Sequence, residues 1–512
     1  MDVTADVVIV GHGAAGACAA IEAAGAGASV VVVDRFAGGG ATAMSGGVVY
    51  AGGGTRQQVA AGVADTPEAM YDYLRHEVGD AVSAETLRRF CQGSTDLLAW
   101  LEEQGVPFDA SLCPFKTSYP TNDYYLYHSG SEMARRDIAP PAPRGHRTRG
   151  KGTSGALLFA RLADSVRRSG TRVLTQTDAR ELLTEDGRVT GVRCRTLTGL
   201  PRTAHRALSK VAAKQGLYYP PLGRSLHRLA TALERRFGRD LLVKARRGVV
   251  IAAGGFVFDR EQMREHAPAY LGGLPLGTPG DDGGGIRLGT AVGGTTARMD
   301  RVSAWRFITP PSALQEGVLV GADGRRVCDE SLYGAAIGEA IVTGHQGRAW
   351  LLVDDRVVRA AHGQVRSQTL WFQRLQARYL LSRGRVTGST LDAVAAKAGV
   401  DAAGLRTTVE AYGDVPDAFG KLPALVRPLS PPYSLIDVSI RSRVGFPCPV
   451  LTLGGLVVDE DTGQVRGVDG LFAAGRSAVG VCSQSYVSGL SLADCVFSGR
   501  RAGQHAAKES SC

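Results

Sequence analysis

The sequence predicts an α/β fold in which both chain ends build one dinucleotide-binding domain around an inserted second domain. At the N-terminus, the apolar strand Asp6-Val-Val-Ile-Val10 runs directly into the glycine turn Gly11-His-Gly-Ala-Ala-Gly16. Near the C-terminus, residues 470–476 predict a buried strand that ends in a glycine turn, and residues 485–494 predict a helix start after Gly489. Because a helix start presents free N–H groups and a positive dipole end, the two chain ends together predict one cofactor site.

Length and composition limit the class of protein. With 512 residues and 44% hydrophobic content, the chain is long enough for a large core and at least two domains. No apolar run reaches the length of a membrane span, and the first strand begins without the basic region of a secretory signal. The nine cysteines form no C-x-x-C pair, which favours reduced thiols in a cytoplasm and argues against a metal site.

The net charge of +10 is concentrated in one segment. Residues 202–247 contain twelve Lys or Arg against Glu234 and Asp240, so this segment alone is net +10 and the rest of the chain is neutral. Helical spacing of apolar residues, with arginines on the opposite face, predicts an amphipathic helix over 222–239. This helix is either an ordinary surface helix or one that rests on an anionic membrane. Nothing else in the chain supports a nucleic-acid partner.

The order of predicted elements gives the organisation. Strand 6–10, a helix of small residues to Gly27 and a strand ending at Asp34 form a β-α-β unit. A cap at Thr66-Pro67 and an amphipathic helix over 84–104 follow. Strands 189–196 and 249–253 flank the basic segment, which is predicted to interrupt the first domain as a helical insertion over about 200–247.

The glycine turn is predicted to bind a dinucleotide. Gly11, Gly13 and Gly16 form G-x-G-x-x-G between a strand and a helix, which allows a pyrophosphate to approach the helix N-terminus. Asp34 closes the next strand and can accept hydrogen bonds from ribose hydroxyls. A second glycine-rich run, residues 38–47, favours an extended flavin cofactor over a nicotinamide. Since no second complete G-x-G-x-x-G follows, the sequence predicts an external electron acceptor other than NAD(P).

With these motifs, the chain resembles the fumarate reductase and 3-ketosteroid dehydrogenase group of FAD flavoproteins over nearly its whole length. The matching stretches are residues 11–16, Asp34, and residues 39–47, 277–285, 324–331 and 470–475. The resemblance implies a Rossmann-like FAD-binding domain of the GR2 type over 1–277 and 447–512, and an α+β catalytic cap over 278–446. Covalently flavinylated members carry a histidine before the Ser-Gly-Gly run, and its absence here implies non-covalent FAD.

The resemblance also assigns residues to the cofactor. The predicted cofactor-binding residues are Gly11, Gly13, Ala14, Ala15, Gly16, Asp34, Arg35, Gly40, Thr42, Ser45, Gly46, Gly47, Ala253, Gly254, Asp282, Gly475, Arg476, Ser491 and Leu492. Many relatives have an acidic residue at the position of Arg476 to hold the ribityl chain, so this chain departs from the pattern there.

The resemblance points to a ketosteroid as substrate. The Gln-x-His-Pro-Thr and Arg-Gly-Glu-Gly-Gly boxes of dicarboxylate members are absent. Tyr333 stands where 3-ketosteroid dehydrogenases keep an active-site tyrosine, and Tyr486-Val-Ser488 looks most like the motif of 3-oxo-5α-steroid 4-dehydrogenases. The implied reaction is desaturation at C4–C5 in steroid catabolism. The alternatives are Δ1-dehydrogenation, a flavin-dependent reduction of an enone or fumarate-type acid, and a non-catalytic flavin-binding module.

The reaction requires that the carbonyl oxygen be stabilised while a proton leaves the neighbouring carbon. The Tyr486 hydroxyl and the backbone N–H of Leu490 are predicted to hold that oxygen. Ser488, relayed through Tyr333, is predicted to take the C4 proton, and these two roles can be exchanged. The flavin N5 is expected to accept the hydride from C5. Tyr119 and Tyr125 are predicted to line the substrate pocket, with simple surface packing as the alternative.

Overall fold

The computed structural model describes residues 2–218, 220–413, 416–441 and 446–508. In the first part of the chain the strands are β1 (Asp2–Val10), β2 (Val30–Asp34), β3 (Val48–Tyr50), β4 (Leu126–Tyr127), β5 (Gly145–Arg147), β6 (Arg172–Thr175), β7 (Thr177–Glu185), β8 (Arg188–Thr196) and β9 (Arg239–Ile251). The helices of this part are α1 (Ala14–Gly25), α2 (Gly40–Met44), α3 (Arg56–Ala60), α4 (Pro67–Val78), α5 (Ala84–Gln92), α6 (Ser94–Glu103), α7 (Gly155–Arg168), α8 (Gly199–Tyr218), α9 (Pro220–Phe237) and α10 (Arg260–His266).

The second part of the chain adds ten strands and seven helices. The strands are β10 (Leu274–Pro275), β11 (Thr296–Ala297), β12 (Val302–Ala304), β13 (Val318–Val320), β14 (Trp350–Asp354), β15 (Arg385–Gly388), β16 (Tyr433–Asp437), β17 (Pro449–Thr452), β18 (Gly455–Leu456) and β19 (Leu471–Ala473). The helices are α11 (Gly284–Ala291), α12 (Gly334–His345), α13 (Asp355–Gln368), α14 (Trp371–Leu380), α15 (Leu391–Ala398), α16 (Ala402–Ala411) and α17 (Leu490–Ala506). Within the described ranges, no helix is both long enough and apolar enough to span a bilayer.

The main sheet joins the two chain ends, as the sequence predicts. Its strand order is β6-β2-β1-β9-β8-β7, and β19 runs parallel to the C-terminal half of β9. The first and last helices also meet, because Gly499 and Gly503 of α17 lie against the backbone of Ala15 and Ala19 of α1. A Cβ at either glycine would overlap a carbonyl oxygen of α1, so this close helix contact requires glycine.

Both faces of the main sheet are buried. On β1, Val7 and Ile9 face a core with α1 and α17, while Val8 and Val10 face the opposite core. All four side chains are almost fully buried, which explains why this strand is a continuous apolar run rather than an alternating one. The carboxyl ends of β1, β9 and β19 therefore meet at one edge, where the glycine turns lie.

Three predicted boundaries are corrected by the structure. Strand β9 begins at Arg239 and not at 249, and its buried residues 241, 243 and 245 alternate with less buried ones, as in a strand with one face on the core. The helical insertion therefore ends at Phe237, where Gly238 follows. The single helix expected over 84–104 is two helices, α5 and α6, that meet at Gly93. The cap at Thr66 is confirmed, because its side chain accepts the Ala69 N–H.

A second sheet lies inside the range predicted for the cap. It is antiparallel, in the order β13-β14-β16-β15, and helices α12 to α16 belong to the same part of the chain. Helix α11 and strands β11 and β12 also fall in the predicted range 278–446, but the two strands pair with β18 and β17 from the C-terminal part. The second sheet thus begins only at Val318, and the domain limits at 278 and 446 stay a prediction.

Candidate active site

The first glycine turn is shaped by close backbone contacts. Gly11 has φ +102°, and Gly13 is the residue before the first turn of α1. A Cβ on Gly16 would overlap the Gly11 carbonyl oxygen, and a Cβ on Gly11 would overlap the backbone of Ala252. Ala14 and Ala15 occupy the first helical turn with buried side chains. The glycines therefore allow β1, the turn and the end of β9 to pack closely at the start of α1, where a dinucleotide-binding turn of this type holds a pyrophosphate.

Asp34 organises the loop around this turn. Its carboxylate accepts N–H groups from His12 at 2.9 Å, Phe36 at 2.8 Å and Gly38 at 3.1 Å. A carboxylate has about four acceptor positions, so one position is left for a ribose hydroxyl. The predicted contact of Asp34 with a ribose remains compatible with this arrangement.

The second glycine-rich run is tied to α1. The Thr42 hydroxyl oxygen accepts the Ala14 N–H at 3.0 Å. Gly40 begins the short helix α2, and Ser45 closes it by donating to the Thr42 carbonyl at 2.8 Å. Gly46 lies against the ring of Tyr119, and Gly47 lies against the backbone at the start of α7. These residues lie beside the first turn, in agreement with the order of the two glycine-rich runs along the sequence.

The ends of β9 and β19 meet at a buried ion pair. Gly254, one residue after Ala253, has φ +87°, and a Cβ on it would overlap the carboxylate of Asp281. That carboxylate pairs with Arg476, which follows Gly475 at the end of β19. The Nη1 atom of Arg476 is buried and has no hydrogen-bond partner among the described residues. A buried donor nitrogen without a partner needs a hydrogen-bond acceptor, and FAD carries many acceptor oxygens and nitrogens.

Two predicted cofactor residues have another partner. Arg35 forms a bidentate pair with Glu234 at 2.9 Å for each bond, and it also binds Asp282 at 2.8 Å. These charges neutralise one another beside α9, and the predicted contact of Arg35 and Asp282 with the cofactor stays a prediction. Asp281, one residue earlier, lies against Gly254. Because Asp281 and Asp282 are adjacent in one loop, the sequence alone cannot show which of them lies against the glycine turns.

The start of α17 corrects the predicted oxyanion donor. The Leu490 N–H donates to the Val487 carbonyl at 3.0 Å, so this amide is occupied. Gly489, with φ +93°, lies so close to β3 that a Cβ would overlap the backbone of Tyr50. Ser491 and Leu492 lie in the first turn of α17, at the edge where the glycine turns are found.

Tyr486, Tyr333 and Ser488 come together in one buried cluster. The rings of Tyr333 and Tyr486 stack with centroids 6.4 Å apart. The ring centroid of Trp305 lies 4.8 Å from that of Tyr486, and the ring centroid of Phe307 lies 5.5 Å from that of Tyr333. The cluster therefore offers two phenols and a serine hydroxyl inside an aromatic wall.

Ser488 lies between two phenols. Its hydroxyl is 3.2 Å from the Tyr127 hydroxyl. Burial raises the pKa of Tyr333, and the neighbouring Ser488 hydroxyl acts in the opposite direction. Ser129 fixes the same residue by donating to the Ser488 carbonyl at 2.9 Å. The serine hydroxyl thus has a connected path to a second oxygen, which a lone serine lacks.

Burial keeps all three tyrosines protonated. It raises the pKa of Tyr333 and of Tyr127 well above the usual value. Burial also raises the pKa of Tyr486, while Arg476 and the Gly489 backbone amide act in the opposite direction. Each phenol is therefore a hydrogen-bond donor at neutral pH. The Gly489 backbone amide acts on the Tyr486 phenol, whereas the Leu490 amide is bonded to Val487.

The predicted pocket residues Tyr119 and Tyr125 both contact Arg147, and their place in a substrate pocket stays a prediction. Their rings lie on either side of the Arg147 guanidinium, each with a centroid distance of 4.8 Å. Their hydroxyls donate to backbone carbonyls of glycines, at 2.7 Å for Tyr119 and 3.3 Å for Tyr125. The tyrosine that joins the hydroxyl cluster is Tyr127, in β4. The sequence indicates the tyrosine-rich segment, but only strand pairing decides which ring enters the cluster.

A cavity of about 330 Å³ opens beside Tyr486. Its apolar walls include Val302, Ala335 and Leu453, and charged side chains such as Asp300, Arg301 and Glu339 line it as well. A volume of a few hundred Å³ is the usual size of a small-molecule site. This volume adjoins the phenol that is predicted to hold a substrate carbonyl.

Comparison with known proteins agrees with this site. A family model of the FAD binding domain matches residues 6–489. The chain is 40% identical to the 3-oxo-5-alpha-steroid 4-dehydrogenase of Comamonas testosteroni in an alignment of 510 positions that covers 92% of each chain. It is 27% identical to the 3-oxosteroid 1-dehydrogenase of Mycobacterium tuberculosis, over 94% of each chain.

A solved structure is similar over the whole chain. The 3-ketosteroid-delta4-(5alpha)-dehydrogenase of Rhodococcus jostii, in complex with 4-androstene-3,17-dione, superposes with a TM-score of 0.82 and 31% identity. The match covers 99% of this chain and 97% of the other. The closely packed glycine turn and the unpartnered Arg476 nitrogen fit the cofactor of these flavoproteins. The chain therefore belongs to the FAD-binding flavoprotein family that includes the 3-ketosteroid dehydrogenases, and its cofactor is FAD.

Proposed function

We propose that the protein is an FAD-dependent dehydrogenase that introduces a double bond between C4 and C5 of a 3-ketosteroid, in steroid catabolism. The observation that carries the proposal is the cluster of Tyr486, Ser488 and Tyr333, three hydroxyl groups beside a cavity of about 330 Å³. The 40% identity with a 3-oxo-5-alpha-steroid 4-dehydrogenase supports the choice of substrate and position.

Tyr486 stabilises the enolate. As the C4 proton leaves, negative charge develops on the C3 oxygen, and a donor already in place lowers the barrier. The raised pKa of Tyr486 keeps its proton on the phenol, so its O–H donates to that oxygen. The Gly489 amide beside the phenol oxygen, together with the nearby Arg476 cation, supports the charge that the phenol shares.

Ser488 receives the C4 proton. Its hydroxyl oxygen accepts that proton while its own proton passes to the Tyr333 oxygen, and the phenolic proton of Tyr333 leaves to bulk water, so that no isolated alkoxide forms. Tyr127 hydrogen-bonds the same hydroxyl and holds its direction. When bound, FAD supplies the two-electron acceptor for the hydride that C5 loses. A second oxidant must then take the electrons, and we propose an external acceptor other than NAD(P).

An anaerobic titration tests the function. Purified holoprotein is mixed with a saturated 5α-3-ketosteroid or with a Δ4-3-ketosteroid, and the flavin absorbance is followed. We expect the 5α compound to bleach the flavin and to give a Δ4 product, identified by NMR. Bleaching by the Δ4 compound with a new C1–C2 double bond would instead establish the Δ1 alternative. Reoxidation of chemically reduced enzyme by fumarate, without reaction of either steroid, would establish the reductase alternative.

We propose a cytoplasmic location for this enzyme, consistent with the absence of a spanning helix in the described ranges. A 3-ketosteroid is apolar and partitions into bilayers. The proposed function therefore favours an enzyme that works at a membrane surface, as one interpretation of the basic segment suggests.

A further inference from the structure

Helices α8 and α9 form a hairpin that exposes apolar side chains to an unusual degree. Ten large apolar side chains of the described residues are exposed, and five of them lie in this hairpin: Leu200, Val211, Leu222, Leu229 and Phe237. Leu200 is 85% exposed and Leu229 is 56% exposed. Single exposed apolar residues are common, but this concentration in one supersecondary unit indicates an interaction surface.

The exposed charges of the hairpin are all positive. Its described exposed cations are Arg202, Arg206, Lys210, Arg224, Arg228, Arg235 and Arg236. Glu234 is the one acidic residue between 199 and 237, and its side chain is buried. Long cationic side chains beside apolar ones suit a bilayer interface, because their stems lie among lipid while the charges reach the headgroups.

The buried acid fastens the hairpin to the flavoprotein body. Glu234 binds Arg35 through two hydrogen bonds and His205 through one of 2.9 Å. The ring of Phe36 stacks on His205 with an interplanar angle of 9°. The inner face is therefore fixed by a charged and aromatic contact, and the Leu222 and Leu229 side chains remain free to bind something outside the molecule.

We propose that the α8–α9 hairpin docks on the surface of a membrane that contains anionic lipids. The apolar side chains enter the interface and the arginines bind the phosphate groups. A polyanion such as a nucleic acid would use the cations but would leave five apolar side chains exposed, so lipid accounts for more of the surface. The hairpin residues are separate from the hydroxyl cluster, so the proposal stands whether or not the protein desaturates a steroid.

Vesicle sedimentation tests this proposal. The holoprotein is spun with phosphatidylcholine vesicles, with or without phosphatidylglycerol as a minority lipid. We expect it to pellet with the anionic vesicles and to be released by high salt, because salt screens the charge contribution. Equal sedimentation with both vesicle types, or none with either, would overturn the proposal. Retention on heparin without vesicle binding would replace it with a polyanion site.

Three variants separate the contributions. Leu229→Glu should weaken vesicle binding at least tenfold, because it places a repelled charge in the interface. The double change Arg224→Gln and Arg228→Gln should weaken binding and reduce its dependence on salt. Leu375→Glu, which alters an equally exposed leucine (61%) on α14, serves as the matched control and should bind like the unmodified protein. FAD content and turnover of dissolved substrate should be unchanged in all three, which distinguishes loss of docking from loss of fold.

Discussion

At the scale of single residues, the chemistry depends on where a few hydroxyl groups lie. Local motifs predict Tyr486, Ser488 and Tyr333 as the reacting groups, and the three do lie in one cluster. The same motifs do not single out Tyr127, although it belongs to the tyrosine-rich segment 119–127. Its hydroxyl reaches Ser488 because β4 pairs with β5, and no spacing along the chain reports that pairing.

Removing one phenol oxygen tests the oxyanion role. Tyr486→Phe should lower turnover by about 10²–10³, the usual loss for one oxyanion donor, and should leave the visible spectrum of bound FAD intact. Stopped-flow reduction of the flavin by substrate measures this loss directly. Tyr125→Phe is the matched control, because its hydroxyl binds a Gly150 carbonyl away from the cluster. Full activity of Tyr486→Phe would exclude this phenol from the role.

A buried carboxyl predicts a dependence of stability on pH. Burial raises the pKa of Asp494 to about 6. The folded state thus prefers the neutral acid. The stability that the protonated Asp494 side chain contributes is complete below the unfolded pKa near 4, and it is lost as pH rises through 6. Asp494→Asn keeps the group neutral at every pH. Relative to the unmodified protein, its free energy of unfolding should rise by about 3 kcal/mol between pH 4 and pH 7.

Denaturant unfolding at the two pH values measures this difference. The exposed residue Asp137 provides the control, because Asp137→Asn should show the same pH dependence as the unmodified protein. An unchanged pH dependence in Asp494→Asn would show that its carboxyl titrates normally in the folded protein.

At the scale of elements, a regular local pattern predicts a helix or strand correctly, but it does not predict where that element is interrupted or extended. The apolar run of β1 and its glycine turn identify a β-α-β unit without further information. Gly93 divides a continuous amphipathic pattern into α5 and α6, since the direction of each helix is set by what it packs against. Strand β9 begins ten residues before the predicted start because pairing with β8 extends it through a basic stretch.

Alanine substitutions at two glycines of α1 separate a steric requirement for glycine from the low helix propensity of glycine. Gly16→Ala should abolish FAD binding and destabilise the protein, because the new Cβ overlaps the Gly11 carbonyl. Gly25→Ala lies in the same helix with nothing within 4 Å of the new Cβ, so it should retain FAD and gain slightly in stability. Flavin content after purification and the melting temperature measure both effects. Normal flavin content in Gly16→Ala would contradict the predicted role of this glycine turn.

At the scale of the whole molecule, the helical hairpin is an attachment to the main sheet. Thr196 at the end of β8 pairs with Arg239 at the start of β9. A two-residue turn joins such antiparallel neighbours, so the sheet does not need the residues between them. The hairpin contacts the body through Glu234, which pairs with Arg35 directly after β2.

Excision of the hairpin tests this arrangement. Replacing residues 197–238 by Asn-Gly should give a folded protein that retains FAD but melts at a lower temperature, because the Arg35 and Phe36 contacts are lost. Its sedimentation with anionic vesicles should disappear. Circular dichroism and flavin absorbance verify the fold. A variant that aggregates without flavin would show that the hairpin is part of the core.

The sequence by itself determined the family, the cofactor and the contribution of both chain ends, because glycine turns and apolar strands are local patterns with one dominant structural meaning. Only the tertiary structure decided that Asp281 rather than Asp282 lies against Gly254, that the Leu490 amide is occupied, and that Tyr127 binds Ser488. Each of these outcomes depends on which atom is nearest across a packed interface. Strand register and helix contacts set that distance, and they join residues hundreds of positions apart.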